Sequence, residues 1–197
     1  LVLPDGTMVW LNGGSTLKYP NNFSDKKRNV VLDGEGYFEV TSRNGVPFTV
    51  STSAYDIIVK GTKFNVCAYD IDATSLTSLI EGKIEIDYKD ELYEVSPGEG
   101  VCINKNKGTV ESFRSDVDDS NAWIDGRIEY EKITLADFAA KLSRKYGVEV
   151  CIENNEIKCH TFRISLKNNE TLVQVLDGLQ LIIPFEYTID KDRIIIK

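Results

Sequence analysis

The sequence predicts a mainly β chain that ends in a small α+β module. Between residue 1 and about residue 113, short alternating apolar runs are separated by turn residues, and helical periodicity is almost absent. After about residue 122, apolar residues recur at helical spacing in two stretches. We therefore expect an all-β domain, built as a sandwich, a roll or a solenoid-like fold, and then a β-α-β-β-α-β-β module.

Turn residues divide the first domain into short strands. Gly, Asn, Asp and Pro stand between the apolar runs, and Asp33-Gly34 is expected to end one strand before the next begins. The ten predicted strands are Met8–Leu11, Asn29–Leu32, Tyr37–Thr41, Phe48–Ser51, Asp56–Lys60, Lys63–Tyr69, Ser75–Ile80, Lys83–Tyr88, Glu91–Val95 and Gly100–Asn104.

The second module shows helix signals as well as strand signals. Thr134 is placed as an N-cap with Asp137 three residues later, and Gly147 is placed to end the helix. A second apolar stripe at helical spacing runs from Leu172 to Leu179. The predicted strands are Arg127–Glu131, Val148–Glu153, Phe162–Leu166, Pro184–Ile189 and Arg193–Ile196.

A polar and acidic stretch separates the two patterns. Residues 116–122 have no apolar periodicity, which is typical of a linker. The predicted domains are therefore residues 1–115 and residues 123–197.

Charge and hydropathy exclude several classes of protein. The 197 residues include 23 Lys and Arg against 31 Asp and Glu, so the formal net charge is −8 and a phosphate backbone would be repelled. No apolar run approaches the roughly 20 residues that cross a bilayer, and no signal peptide is visible. The opening Leu-Val-Leu, without an initiator Met, suggests a piece cut from a longer protein. We expect a soluble chain that does not bind nucleic acid.

Residues with catalytic or metal-binding chemistry are few and scattered. Cys67 and Cys102 are interpreted as packing residues, and a Cys151–Cys159 bridge is the only local pairing to consider. His160 is the sole histidine, too little for a conventional metal site. No nucleophile elbow, phosphate loop, dinucleotide fingerprint or complete calcium loop is present. We therefore expect a protein that is not an enzyme and binds no cofactor or metal.

Several strings in the first domain closely resemble the FecR family. They keep the order of the family over about the first 110 residues, and Pro97-Gly98 matches its later turn; Gly36 departs from the Ala that is common there. The matching strings are Val2–Asn12, Tyr19-Pro20, Arg28–Val40, Pro47–Val50 and Gly61–Val66. Within them, Trp10, Tyr37, Phe38 and Phe64 are interpreted as core residues.

The second module resembles the C-terminal domain of FecR-like proteins of Bacteroidota, which is similar to the short N-terminal domain of secretins and TonB-dependent receptors. The resemblance lies in Trp123–Arg127, Thr134-Leu135, Lys145–Val148 and Asp192–Ile196. Trp123 is interpreted as an anchor of this module.

The resemblance implies a transmembrane anti-sigma regulator, of which this chain would be the periplasmic sensor region. A segment outside the chain would bind an extracytoplasmic-function sigma factor, and a single inner-membrane helix would anchor the protein. The implied periplasmic partner is the signalling domain of an outer-membrane TonB-dependent transporter.

The partner surface is expected on the second module, where a strand of the partner could add to an exposed edge. Two candidate edges are Thr161–Ser165 and Arg193–Lys197. The candidate interface residues are Thr161, Arg163, Ser165, Arg193, Ile195 and Lys197. The alternative for the second edge is that Ile194–Ile196 forms a paired inner strand, as its apolar run suggests.

A function from another class is also open. A carbohydrate-binding or adhesive β-domain would present an exposed platform of aromatic side chains. The alternation of the strands places most aromatic residues on apolar faces, which argues against this function.

Overall fold

The computed structural model describes residues 1–115, 122–167 and 169–197. The chain divides into two compact units, Leu1–Asn121 and Ala122–Lys197. Unit one is all β and unit two is α+β, so the predicted fold class is confirmed. Residues 116–121 of the expected linker lie outside the described residues, and Ala122 begins a 3-10 helix, Ala122–Asp125. The domain boundaries stay a prediction.

The strands of unit one form two sheets that share one long strand. The strands are β1 Met8–Leu11, β2 Thr16–Lys18, β3 Arg28–Glu39, β4 Phe48–Ser51, β5 Asp56–Val59, β6 Lys63–Ala68, β7 Thr74–Glu81, β8 Ile84–Tyr88, β9 Glu91–Val95, β10 Glu99–Asn104 and β11 Thr109–Arg114. The carboxyl half of β3 lies between β1 and β6, and its amino half lies between β2 and β4. The orders are therefore β1-β3-β6-β7-β10-β11 and β2-β3-β4-β5-β8-β9.

Both sheets contribute to one apolar core. Phe38 and Phe64 stack with ring centroids 5.1 Å apart on the first sheet, and Phe48 of the second sheet lies 6.4 Å from Phe38. All three rings are fully buried. Because β3 belongs to both sheets, this strand connects them directly.

The predicted strand break at Asp33-Gly34 is wrong, because β3 runs through it. Gly34 adopts a φ of +127°, and a Cβ there would lie 2.4 Å from the Ser15 hydroxyl oxygen. The same hydroxyl accepts a hydrogen bond from the Glu35 N–H. Glycine therefore bends the strand under a close neighbour instead of ending it.

Unit two packs its helices against two small sheets. Its elements are β12 Arg127–Thr134, α1 Leu135–Tyr146, β13 Glu149–Ile152, α2 Asn155–Lys158, β14 Thr161–Lys167, α3 Leu172–Gln180, β15 Tyr187–Asp190 and β16 Arg193–Ile196. β12 pairs with β14, and β16 lies between β13 and β15. The buried core residues include Phe138, Leu142, Leu176, Leu179, Ile194 and Ile196.

The predicted helix ends of α1 are confirmed. The Thr134 hydroxyl accepts from the Asp137 N–H, and Gly147 closes the helix with a φ of 67°. The α3 helix begins with a capping box, in which Thr171 and Gln174 bond reciprocally. The single-turn helix α2, which Asn154 caps, lies between β13 and β14.

No helix among the described residues is long and apolar enough to span a membrane.

Candidate functional site

The expectation of an exposed edge at Arg193–Lys197 is wrong. β16 pairs in parallel with β13 and antiparallel with β15, so both of its edges carry strand partners. Ile194 and Ile196 are fully buried, as expected for the central strand of a covered sheet. The alternative of a paired inner strand is therefore correct. A partner strand cannot add beside Ile195 without displacing part of the sheet.

The first candidate edge, on β14, has a different environment. β14 pairs with β12 on one side, and among the described residues no strand pairs with its other side. The Leu135 N–H donates to the His160 carbonyl at 2.9 Å, so the backbone of His160 points toward β12. Backbone N–H and C=O groups of successive strand residues point alternately to the two sides of the strand. The backbone groups of Thr161, Arg163 and Ser165 therefore point away from β12. These three residues are the predicted interface residues of this strand.

The same three residues also expose their side chains. Arg163 lies 2.8 Å from a Glu131 carboxylate oxygen and 3.9 Å from one of Glu129, in pairs open to solvent. Such exposed pairs contribute about 1 kcal/mol or less, so the guanidinium can exchange its partners at little cost. The free edge ends at Lys167, whose N–H donates to the Glu170 carboxylate at 2.9 Å. This bond holds the pKa of Glu170 below its ordinary value.

The β13 edge of the other sheet is partly occupied by the end of α1. Val150 N–H donates to the Ser143 hydroxyl at 3.1 Å, and Val148 N–H donates to the Ser143 carbonyl at 3.1 Å. A strand added at the start of this edge would have to displace these two hydrogen bonds.

The groups with possible chemistry do not converge. All four cysteines are free thiols, and His160 is exposed. Burial raises the pKa of the Cys102 thiol, which lowers its reactivity. Cys151 is partly buried, with its sulfur 3.5 Å from Arg193 and 3.3 Å from Glu149. Within residues 1–115, 122–167 and 169–197, no three His, Cys, Asp or Glu side chains form a metal-binding group.

The aromatic residues of the FecR-like strings divide between two faces. Phe38 and Phe64 lie in the core, as expected, but Trp10 and Tyr37 pack edge to face on the opposite side of the sheet, 5.5 Å apart. Adjacent residues of a strand point to opposite faces, so Tyr37 and Phe38 cannot share the core. Tyr37 is 5% exposed, and burial, followed by the charge of Glu39, raises its pKa to about 12. A ring so covered does not form an open platform for sugars.

Comparison with known proteins identifies the family. The family model for the FecR protein matches residues 1–85, and the model for the FecR C-terminal region matches residues 127–196. Both units therefore carry a family signature, and the chain belongs to the FecR family.

Solved structures from one organism share the whole fold. Two crystal structures of a proposed anti-sigma factor from Parabacteroides distasonis ATCC 8503, at 1.65 and 2.50 Å resolution, are similar to this chain. They superpose with TM-scores of 0.92 and 0.91 at 29% and 30% sequence identity. In each case the match covers 100% of this chain and 92% of the other. Among curated proteins no match was found.

Proposed function

We propose that this chain is the periplasmic sensor region of a FecR-family anti-sigma regulator. It receives a signal from an outer-membrane TonB-dependent transporter and relays it to a cytoplasmic extracytoplasmic-function sigma factor. The observation that carries the proposal is the double family match, together with whole-chain similarity to a proposed anti-sigma factor. The sigma factor binds a segment outside this chain, beyond a single inner-membrane helix.

The role of the chain in this proposal is to bind a protein without chemical catalysis. Cys67, Cys102 and Cys151 lie on three different strands and only Cys159 lies beside His160, whereas catalytic groups must converge within hydrogen-bonding reach. Unit two offers the β14 edge, where three residues combine outward backbone groups with exposed side chains. The partner strand adds there, and backbone hydrogen bonds supply affinity while the side chains supply specificity.

The test is calorimetric titration of the chain with the periplasmic signalling domain of the TonB-dependent transporter encoded beside it. We expect saturable one-to-one binding. Absence of binding by the folded chain would contradict this transporter as the partner.

Two proline variants locate the edge. In Ser165→Pro the missing N–H is one that points away from β12, so the ladder of unit two keeps its bonds while the partner loses a donor. Ile189→Pro places the same change on the edge strand of the other sheet and is the matched control. We expect Ser165→Pro to lose binding and Ile189→Pro to keep it. The reverse result would contradict the assignment of the β14 edge.

A further inference from the structure

Asparagine followed by glycine occurs twice in the sequence, at Asn12-Gly13 and at Asn44-Gly45. In such a step the backbone nitrogen of the glycine can attack the side-chain amide carbon Cγ of the asparagine, because no Cβ hinders its approach. Both steps lie in turns of unit one, but the two turns hold the glycine nitrogen differently. The structure therefore distinguishes two steps that look alike in the sequence.

At the first step the side chain and the attacking nitrogen face each other. The Gly13 N–H donates to Asn12 Oδ1 at 2.8 Å, so this nitrogen lies on the side-chain side of the Asn12 Cα–C bond. Oδ1 is bonded directly to Cγ, which brings the nitrogen close to the carbon that it would attack. Holding two reacting atoms about 3–3.5 Å apart removes much of the entropic cost of their reaction.

Glu35 fixes the position of the Asn12 side chain. Asn12 Nδ2 donates to Glu35 Oε2 at 2.8 Å, and the Asn12 N–H donates to the Glu35 carbonyl at 2.9 Å. The other carboxylate oxygen of Glu35 accepts from Asn65 Nδ2 at 3.1 Å. Glu35 is buried, whereas Asn12 and Gly13 are half-buried, so the carboxylate is held in place while water still reaches the Asn12 amide.

At the second step the turn keeps the reacting groups apart. The Val46 N–H donates to the Arg43 carbonyl at 2.8 Å, and Asn44 and Gly45 have φ angles of 45° and 74°. Positive φ at both central residues is typical of a type I′ turn, in which the first central residue has a ψ of about +30°. With that ψ the Gly45 nitrogen lies nearly opposite the Asn44 Cβ across the Cα–C bond. The turn must open before this nitrogen reaches Cγ, although Asn44 is the more exposed asparagine.

We propose that Asn12 is a site of spontaneous covalent modification, which deamidates in the folded chain in preference to the exposed Asn44. The Gly13 nitrogen gives its proton to hydroxide and bonds to Asn12 Cγ, and the Cγ–Nδ2 bond breaks. The departing nitrogen takes a proton from water and leaves as ammonia, so that a five-membered succinimide remains. Water then opens one of the two carbonyl–nitrogen bonds of this ring, which gives aspartate or isoaspartate at position 12.

The product carries a negative charge where Asn12 donates a hydrogen bond to Glu35. A carboxylate at position 12 faces the Glu35 carboxylate without a donor between them, and like charges at this distance repel each other. The surrounding residues depend on this turn, because the Tyr69 hydroxyl donates to the Gly13 carbonyl at 2.8 Å and the Ser15 N–H donates to the Asn12 carbonyl at 3.2 Å. Deamidation therefore loosens the connection between β1 and β2.

The experiment follows both asparagines in one sample. The whole chain is incubated at mildly alkaline pH in heavy-oxygen water, which labels each new carboxylate, and deamidation is measured by peptide mapping with mass spectrometry. The same chain in urea gives the rate of each step without the fold. After division by this unfolded rate, we expect Asn12 to react about tenfold faster than Asn44 or more. A ratio near one or below, or no reaction at Asn12 in the folded chain, would overturn the proposal.

Variants test the reaction and its consequence separately. Gly13 does not need a positive φ, so Gly13→Ala is compatible with the turn and adds a Cβ beside the attacking nitrogen. We expect this variant to slow the reaction at Asn12 about tenfold or more and to leave Asn44 unchanged. Asn12→Asp reproduces the charge of the product and is expected to lower the thermal midpoint, whereas Asn44→Asp leaves it unchanged. Equal midpoints in the two aspartate variants, or an unchanged rate in Gly13→Ala, would overturn the proposal.

Discussion

A buried ion pair ties the first turn of the chain to β3. The side chains of Asp5 and Arg28 are both completely buried, with 2.9 Å between carboxylate oxygen and Nη1. Arg28 also donates to the carbonyls of Thr41 at 2.6 Å and Val46 at 2.7 Å. Arg28 Nε has no partner among the described residues. The guanidinium therefore depends on Asp5 for its only countercharge in this network.

Removing the Asp5 carboxylate while Arg28 is kept should strongly destabilise the folded protein. Asp5→Ala leaves a buried cation uncompensated, so we expect the free energy of unfolding to fall by about 3–5 kcal/mol, measured by urea denaturation. The matched control is Glu94→Ala, which breaks the exposed pair with Lys83 and should cost about 1 kcal/mol or less. Adding Arg28→Met to Asp5→Ala should restore part of the loss. A small effect of Asp5→Ala would show that water reaches the guanidinium.

Ionisation of Tyr37 should lower the free energy of unfolding at alkaline pH. Its pKa is raised from 10.0 to about 12, first by burial and then by Glu39. The folded state therefore favours the protonated phenol, and this contribution is complete below pH 10 and is lost as the pH rises toward 12. In Tyr37→Phe, the free energy of unfolding should decline less over this range, as measured by urea denaturation at several pH values. Equal slopes in both proteins would contradict the prediction.

At the scale of elements, the cap of α3 can be tested alone. Thr171→Ala removes the side-chain acceptor of the Gln174 N–H and opens the capping box. We expect the free energy of unfolding of unit two to fall by about 1 kcal/mol, measured in a Trp10→Phe background by the fluorescence of Trp123. Ser24→Ala is a control in an exposed loop of unit one. If both variants changed the Trp123 transition equally, the effect would not come from the helix cap.

The local sequence pattern predicted most helices and strands, but not the boundaries that depend on tertiary packing. Thr134 and Gly147 end their helix as expected, because caps depend on neighbouring residues. Asp33-Gly34 resembles a turn, yet β3 bends there and continues, because its two halves pair with different strands on either side of this point. β2 and β11 were missed, because β2 has three residues and β11 has little apolar alternation.

The candidate edges also differ in what local sequence predicts and what strand pairing decides. Thr161, Arg163 and Ser165 were predicted on an exposed edge, and their side chains are exposed. Strand pairing decides which strand is central in a sheet. The sequence Arg193–Lys197 alone does not indicate which two strands pair with it. The Ile run predicted burial, and the parallel pairing with β13 explains it.

At the scale of the whole molecule, each unit has its own apolar core. The buried clusters of unit one and unit two share no residue. A core of this kind lets a unit fold independently, although a domain of about 75 residues has limited stability. We therefore expect residues 122–197, expressed alone, to fold and to give a cooperative thermal transition by circular dichroism.

The separate unit also tests how the sensor is organised. If partner binding belongs to the β14 edge, residues 122–197 should bind the transporter signalling domain with the affinity of the whole chain, and residues 1–115 should not bind it. Ser165→Pro in the short chain should remove that binding, because the lost donor is the same. A folded short chain that binds much more weakly than the whole chain would show that unit one contributes contacts.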